Sequence, residues 1–565
     1  MKKKRKSINS NENVINKKVS SIGFNFWAEN NTNKIQFSRQ TIKQFFLEHL
    51  PFMLLIVVFT SLIYGNSLSG DFLIADDIPG LVQNPTIIDF NRASATGKIN
   101  IIIDSGLFQM GKGTPQLFHI RSVGLHAINT ILVYFLAILI FNKPISFITS
   151  LLFLVHPINT EAVSWISSWI YLALTLFTLL VTISFLLYRR TGQKIFLAAS
   201  IVILLVYMLF FTDNWVFTIP IIIVIMDQLM VEKKIDIKSI KNYIPLVALG
   251  AFHAIYLLST SLNERISNLK NLYYNDITKA TPIYQRIPYT AFMTWKQYVF
   301  PRDLTIYHEG YIISEVFFAV MIVFTIIMVA LIIYLLFKNK PVAGLLTLMW
   351  VSILPSFSPV PVAWLMADRY LYRGSIFFCM LLAMGLYWLE NKYKLSNFMK
   401  VGTIILLLVY SIRTVYRNND WKSDKNLWTS TLKVAPYSAR VYNNLGDVYF
   451  KENNFQKAIQ YFQIALQLKP DFADVVHNLG YTYLEMGNYD LARQYLIKSY
   501  QMNPYLYQSL YKLGFLEYRL GNLEQAQAYF EQTLKVNPAY EPAAKAVDAL
   551  KQLRLQQGSN EKPVK

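Results

Sequence analysis

The sequence predicts an all-α protein in two parts: a polytopic membrane domain of about eleven spans, followed by an α-solenoid of short helical repeats. Two observations support this fold class. Of the 565 residues, 54% are hydrophobic, and the apolar runs repeatedly reach the roughly 17–25 residues that cross a bilayer. After Trp421 the chain becomes polar and repeats with a period of 34 residues.

The predicted spans are recognised by their apolar length. They lie at about 51–65, 124–141, 143–157, 166–187, 194–211, 215–230, 243–260, 311–337, 341–356, 374–390 and 399–416. The apolar segment 283–300 is interrupted by Arg286, Pro288 and Lys296. We therefore predict that it forms a re-entrant or interfacial helix rather than a span.

Basic residues predict the orientation in the membrane. The net charge of +20 arises largely from a Lys-rich tail, residues 1–50, and from the even-numbered connections between spans, whereas the outer connections 156–161 and 212–214 carry no Lys or Arg. The tail is therefore predicted to be cytoplasmic, and the large loop 66–123 and the C-terminal repeats to lie outside. Because these charges follow the connections between spans, we expect no nucleic-acid partner.

The C-terminal repeat is read from residues that recur in phase. Leu445-Gly446, Leu479-Gly480 and Leu513-Gly514 are spaced by 34 residues. This period is typical of tetratricopeptide repeats, which are pairs of antiparallel helices. We assign three repeats to 439–540, a junction with a half repeat to 417–438, and a capping helix with a polar tail to 541–565. Such arrays usually bind proteins on their concave face, and a structural or dimerising role is the alternative.

Several ionisable residues of the predicted membrane domain, residues 51–416, lie on its predicted outer face. They are at the ends of spans or in the loops between spans. Ionisable groups near a membrane are costly and mark function more often than chance. The ionisable candidates are Asp76, Asp77, Arg121, His156, Glu161, Asp368, Arg369 and Arg373, and Asn84 is a further, uncharged candidate for the active site. Structural interpretations also exist: the Asp pair could cap a helix, Asp368 and Arg369 could form an ion pair, and His156 could end a span.

Three motifs carry a resemblance to a known family. Residues 64–87 (YGNSLSGDFLIADDIPGLVQNPTI), 156–167 (HPINTEAVSWIS) and 366–378 (MADRYLYRGSIFF), followed by the repeats, resemble the transmembrane-and-tetratricopeptide-repeat O-mannosyltransferases and their prokaryotic relatives. The resemblance implies a type C glycosyltransferase fold, a sugar donor on a polyprenyl phosphate, and catalysis on the non-cytoplasmic face. It also implies that Asp76 or Asp77 is the acidic catalytic residue. The sequence departs from the family at Trp169, Tyr171 and Asp213.

The chemistry of such a transfer needs two kinds of group. A carboxylate takes the proton of the acceptor hydroxyl, and cations stabilise the charge that develops on the leaving phosphate. Asp76 and Asp77 suit the first role. Arg369 and Arg373 suit the second, because a guanidinium binds phosphate oxygens in a bidentate manner, and Arg121 and Lys112 are weaker candidates. A divalent metal on Asp76, Asp77 or Glu161 is conceivable, but no ligand spacing argues for one.

Two other functional classes remain open from the sequence. A non-catalytic scaffold would use the spans as an anchor and the repeats as the working part, and a lipid or sugar transporter would carry charges deep within its spans. The predicted partners are a lipid-linked sugar, an acceptor protein or glycan on the repeats, and the membrane. The predicted location is a prokaryotic cell membrane, or the endoplasmic reticulum membrane in a eukaryote.

Overall fold

The computed structural model describes residues 39–211, 215–232, 237–260, 267, 283–306, 308, 314–357, 366–394 and 396–560. Within these ranges every regular element is helical, in agreement with the all-α prediction. Asp213, the tail before Arg39 and part of the 231–242 connection lie outside the described residues.

The membrane part begins with a long helix and a loop of short helices. Helix α1 is Arg39–Tyr64, and the loop 66–123 then contains α2 (Pro85–Ile88), α3 (Phe90–Ala95) and α4 (Ile99–Met110). The remaining helices of this part are α5 (Gln116–Ile140), α6 (Lys143–Val155), α7 (Thr160–Ser164), α8 (Trp169–Thr191), α9 (Lys194–Phe210), α10 (Thr218–Ile225), α11 (Ile244–Thr260), α12 (Ile283–Val299), α13 (Glu315–Lys338), α14 (Lys340–Val351), α15 (Tyr372–Tyr393) and α16 (Ser396–Asn418).

Among the described residues, six helices are long and apolar enough to cross a membrane, or seven if a bent pair counts as one span. The six are Phe46–Ser69, Gln116–Ile140, Ile166–Thr191, Glu315–Lys338, Asp368–Tyr393 and Asn397–Trp421. The bent pair, Lys143–Val155 and Pro157–Ser164, turns by 49°. The other four predicted spans correspond to shorter apolar helices, so the count of eleven stays a prediction.

The helices pack around one apolar core, with lipid-facing residues outside. Phe153, Leu172, Leu348 and Met380 are fully buried in this core. Helix α13 packs differently. Only 17% of its most apolar stretch is buried within the protein, as expected of a helix that faces lipid. The segment 283–300, predicted to be re-entrant or interfacial, forms helix α12. This helix packs on the rest of the protein through buried residues such as Tyr298. Its depth in the membrane stays a prediction.

The C-terminal part is a stack of helix pairs. Helix α17 (Asp424–Val434) leads into α18 (Ala439–Lys451), α19 (Phe455–Leu468), α20 (Ala473–Glu485), α21 (Tyr489–Met502), α22 (Tyr507–Arg519), α23 (Leu523–Val536) and α24 (Glu541–Asn560). The repeated glycine allows the two helices of each pair to pack closely. A Cβ atom at Gly446 would lie 2.4 Å from the Phe462 ring, and one at Gly514 would lie 2.6 Å from Phe530. The 34-residue period of these glycines therefore reflects the close packing of the two helices in each pair.

Candidate functional site

Asp77 is fully buried and is held by hydrogen bonds at both carboxylate oxygens. One oxygen accepts the Leu73 backbone N–H at 3.0 Å. The other accepts the Ser167 backbone N–H at 3.0 Å and the Ser167 hydroxyl. Burial nevertheless raises the pKa of Asp77 to about 7, against the lowering effect of these hydrogen bonds. Asp77 therefore connects the loop 66–123 to the segment before α8.

The neighbouring Asp76 has a different environment. Its side chain reaches the surface, and within the described residues no donor hydrogen-bonds to its carboxylate. The surrounding protein removes part of its water and raises the pKa of Asp76, while the positive charge of Arg369 opposes that rise. A carboxylate that is exposed, without a donor and close to a guanidinium can accept a proton from a bound hydroxyl.

Arg369 is buried against aromatic rings and forms an ion pair with Glu161. Its guanidinium carbon lies 5.0 Å from the Trp165 ring centroid and 5.1 Å from that of Tyr370. The second carboxylate oxygen of Glu161 is buried without a hydrogen-bond partner. The pair brings together two predicted residues that are 208 positions apart in the chain. It also leaves hydrogen-bonding capacity unused at the site.

Asp368 faces away from Arg369, although the two are adjacent in sequence. One Asp368 oxygen lies 2.7 Å from the His308 Nε2 atom, and the other accepts the Thr305 backbone N–H at 3.0 Å. Both side chains of the Asp368–His308 pair are buried. The structure therefore does not contain the Asp368–Arg369 ion pair that the sequence left open. Asp368 instead anchors the segment that follows α12.

Arg121 forms an ion pair with Asp104 of helix α4, a residue that the sequence reasoning did not select. The Arg121 guanidinium carbon lies 4.1 Å from the ring centroid of Trp169. Trp169 is one of the positions at which the sequence is expected to depart from the pattern of the family it resembles. The Trp169 ring therefore stabilises the guanidinium of Arg121, a residue of helix α5, through a cation–π contact.

Arg373 lies deeper in the bundle. It donates hydrogen bonds to the Thr218 hydroxyl at 2.7 Å, the Ser352 carbonyl at 3.1 Å and the Thr178 hydroxyl at 3.4 Å. Its guanidinium carbon is 5.9 Å from the Trp215 ring centroid. Trp215 also packs against Tyr171, the second family departure. Arg373 is thus fixed by helices α8, α10 and α14.

The other predicted residues have structural environments. The buried His156 Nε2 atom lies 3.1 Å from the Tyr298 carbonyl, and its Nδ1 atom accepts the Ile158 backbone N–H at 3.2 Å. Asn84 caps α2 by accepting the Thr86 backbone N–H at 3.0 Å. Lys112 is exposed and has a positive φ of 51°. The structure does not bring these three side chains to Asp76.

Arg417 is a further buried cation that the sequence reasoning missed. It donates to Asp420 at 2.8 Å, while its Nε and Nη2 atoms are buried without a hydrogen-bond partner. Its charge also acts on Glu161. Its position directly after the predicted span 399–416 was a usable signal, because ionisable groups near the membrane mark function more often than chance.

No group of three or more His, Cys, Asp or Glu side chains in the described part of the chain is arranged to hold a metal ion. Among the possible ligands from the sequence, Asp77 and Glu161 have the separate contacts given above, and Asp76 has no hydrogen-bond donor within the described residues.

Comparison with known proteins gives matches to both parts of the chain. Family models described as tetratricopeptide repeats match residues 439–472 and 471–539. The Arabidopsis OM64 TPR domain is 21% identical, with a TM-score of 0.20, and the match covers 20% of this chain and 95% of that domain.

Longer matches are found among protein O-mannosyl-transferases. The chain is 25% identical over 387 residues to TMTC3 of Mus musculus, which covers 62% of this chain and 41% of that protein. It is 26% identical over 440 residues to a protein O-mannosyl-transferase of Caenorhabditis elegans, which covers 70% and 59% respectively. The chain therefore spans less than two thirds of the length of these relatives. Its sequence is similar to the TMTC family of protein O-mannosyl-transferases, which confirms the resemblance read from its motifs.

Proposed function

We propose that this protein transfers a mannose-like sugar from a polyprenyl phosphate to a hydroxyl group of a protein acceptor, on the non-cytoplasmic face of the membrane. The supporting observation is the environment of Asp76, an exposed carboxylate without a hydrogen-bond donor within the described residues, whose pKa is influenced by the positive charge of the buried Arg369. The similarity to protein O-mannosyl-transferases supports the reaction class. The charge pattern of the connections supports the sidedness.

In the proposed reaction Asp76 is the general base. The acceptor oxygen attacks the anomeric carbon of the sugar while Asp76 takes the hydroxyl proton. The bond between that carbon and the phosphate oxygen breaks, and its electron pair leaves with the lipid phosphate. Arg369 stabilises the charge that develops on this phosphate, because a buried guanidinium already oriented by Glu161 and Trp165 needs little rearrangement. Mannose leaves the lipid and forms one new glycosidic bond.

The two adjacent carboxylates have separate roles in this scheme. Asp77 is buried and accepts three hydrogen bonds, so it is a positioning residue. Arg121 and Arg373 are oriented by Asp104 and by hydroxyl groups, respectively. They are secondary candidates for contacts with the donor phosphate.

We propose that the acceptor binds to the face formed by the first helices of the repeats. Asn478 of α20 donates to Asn443 at 2.9 Å and to Asp447 at 3.0 Å, both in α18. Both amide hydrogens of Asn478 are thus used, and its carbonyl oxygen is left to accept an N–H of an extended chain. On the next repeat, the Lys512 ammonium lies 3.3 Å from the Tyr481 ring centroid. Burial lowers the pKa of Lys512 to about 8. An acidic, extended polypeptide fits this combination.

A non-catalytic scaffold is the second candidate. It is favoured by the carboxylates that already pair with Arg369 and Arg121, since these cations would then have only structural roles. The departures at Trp169 and Tyr171 favour it as well. A transporter is less favoured, because the carboxylates Asp76 and Asp77 lie in the loop 66–123 between two apolar runs rather than deep within a span.

The two candidates are separated by an assay with purified protein in lipid nanodiscs. The donor is polyprenyl-phosphate mannose with a radioactive sugar, and the acceptor is an acidic protein with exposed Ser and Thr residues. A transferase incorporates label that alkaline β-elimination releases. A scaffold binds the acceptor and incorporates no label. Parallel reactions with EDTA and with Mg²⁺ or Mn²⁺ test whether a metal is required.

A further inference from the structure

The loop segment that carries Asp76 is paired with the junction between the membrane domain and the repeats. The Asp71 backbone N–H donates to the Lys422 carbonyl at 2.9 Å. The Ile74 backbone N–H donates to the Asp424 carboxylate at 2.8 Å, a contact between residues 350 positions apart. The two bonds lie on either side of Leu73, so a short stretch of loop runs along the start of α17.

Leu73 inserts its side chain between the two parts of the protein. It is 1% exposed and belongs to a cluster with Trp165, which precedes α8, and with Trp421 and Trp428 of the junction. The Trp165 and Trp421 rings are stacked with centroids 5.6 Å apart. The same cluster contains Val441, Leu445 and Val448 of α18. The first repeat therefore packs directly on the loop.

The same segment is also fixed from the membrane side. The Leu73 backbone N–H donates to Asp77, and Asp77 accepts from Ser167. The Ile78 backbone N–H donates a hydrogen bond to the Leu73 carbonyl at 3.1 Å. Asp76 lies between these anchors, one residue before Asp77 and two after Ile74. Its backbone direction is consequently set by the junction on one side and by Ser167 on the other.

We propose that the junction is a component of the active site and that Asp424 is a positioning residue for Asp76. This inference rests on the proposed transferase function. The Asp424 carboxylate holds the loop at the repeat side through the Ile74 amide, beside the backbone bond from Asp71 to Lys422, and the buried Leu73 side chain packs between the two parts. An error of about 1 Å in the position of a catalytic group can reduce the rate by as much as 100-fold. Loss of the Asp424 bond should therefore affect kcat while the KM for the lipid donor changes little.

The test compares Asp424→Ala with Asp424→Asn. Asparagine keeps an oxygen that can accept the Ile74 N–H, whereas alanine has none. Asp490→Ala is the matched control: like Asp424, Asp490 is an acidic residue in the first turn of a repeat-domain helix, and it is exposed. The control reproduces any loss of helix-dipole stabilisation without touching the loop. If Asp424→Ala unfolds, Asp424→Ser is used in its place, because the serine side chain is shorter than that of aspartate.

Two readouts are measured on full-length protein in nanodiscs. With polyprenyl-phosphate mannose and a short Ser/Thr peptide, kcat should fall about 10-fold or more for Asp424→Ala and less than about 3-fold for Asp424→Asn and Asp490→Ala. Hydrogen–deuterium exchange of a peptide covering 70–77 should accelerate only in Asp424→Ala. Unchanged exchange in that variant would overturn the proposal. Faster exchange with unchanged kcat would also overturn it, since the loop would then be held without any effect on Asp76.

The exchange readout separates this inference from the proposed function. If the wild-type protein transfers no mannose, the transferase assignment fails and, with it, the positioning role of Asp424. In that case exchange still reports whether the junction holds the loop.

Discussion

The Ser167 backbone N–H lies 3.0 Å from the buried carboxylate of Asp77, and this contact joins residues 90 positions apart. It connects the loop 66–123 to the segment before α8. The adjacent Asp76 makes no such bond among the described residues and reaches the surface. Two neighbouring acids with the same chemistry thus have opposite environments, and different consequences are expected when each is changed.

Asp77 should make the stability of the protein depend on pH. Its pKa is raised from 3.8 to about 7 in the folded protein, so the folded state keeps a proton that the unfolded state loses near pH 4. Between about pH 4 and pH 7 the unfolded state binds fewer protons, and stability therefore decreases as pH rises. Apparent melting temperatures in detergent at pH 5 and pH 8 measure this difference. The Asp77→Asn variant should show a smaller difference between the two pH values, and an unchanged difference would mean that Asp77 does not titrate in this range.

The Arg369–Glu161 pair should behave as a coupled unit. Either Arg369→Gln or Glu161→Gln leaves one buried charge without its partner, which costs roughly 3–5 kcal/mol. The double variant removes both charges and should be less destabilised than the sum of the two single variants. A double-mutant cycle on thermal or denaturant unfolding measures the coupling. Additive effects would show that the two charges do not stabilise each other.

The acceptor surface can be tested by reversing one charge. Lys512→Glu should raise the KM for a folded, acidic protein acceptor about tenfold, because it places a like charge beside the acceptor, and it should change transfer to a short neutral peptide little. Lys498→Glu is the control, since Lys498 is exposed on α21, a second helix of the repeats. Equal effects of the two substitutions would indicate a general charge effect rather than a binding surface.

The predicted topology can be tested by single-cysteine labelling. Cys379 is buried and is replaced by alanine to give a cysteine-free background. In intact cells, a membrane-impermeant maleimide should label Gln463→Cys, on an exposed repeat position, and should not label Lys234→Cys in the basic connection. The reverse pattern would place the repeats in the cytoplasm and remove the basis for an external active site.

The sequence allowed the helical repeats to be predicted closely because their requirements are local. Gly446 and Gly514 recur where the paired helix leaves no room for a Cβ atom, so the packing constraint is visible as a period. The all-α membrane class was similarly accessible, because the length of an apolar run is fixed by the bilayer. The number of spans was less accessible, since several apolar helices are shorter than a full crossing.

The environment of each candidate site residue could not be predicted from the sequence. Nothing in the local pattern distinguishes Asp76 from Asp77, because the difference depends on Ser167. Likewise, the partners of Arg369 and Arg121 come from other helices than their own, so Asp104 was missed. Asp368 was considered as a partner of Arg369 only because the two are adjacent in sequence. Asp424 was missed because an acid at the start of a helix is usually a capping or dipole effect.

The central claim is that Asp76 removes the acceptor proton, and the most direct measurement is the transfer rate of Asp76→Asn in nanodiscs with polyprenyl-phosphate [³H]mannose and a Ser/Thr acceptor. Loss of a positioned general base should reduce kcat by about 100-fold or more, with an unchanged melting temperature, because the Asp76 side chain accepts no hydrogen bond within the described residues. Asp71→Asn, which neutralises an exposed acid in the same loop, should keep most of the activity. Full activity of Asp76→Asn would contradict the account.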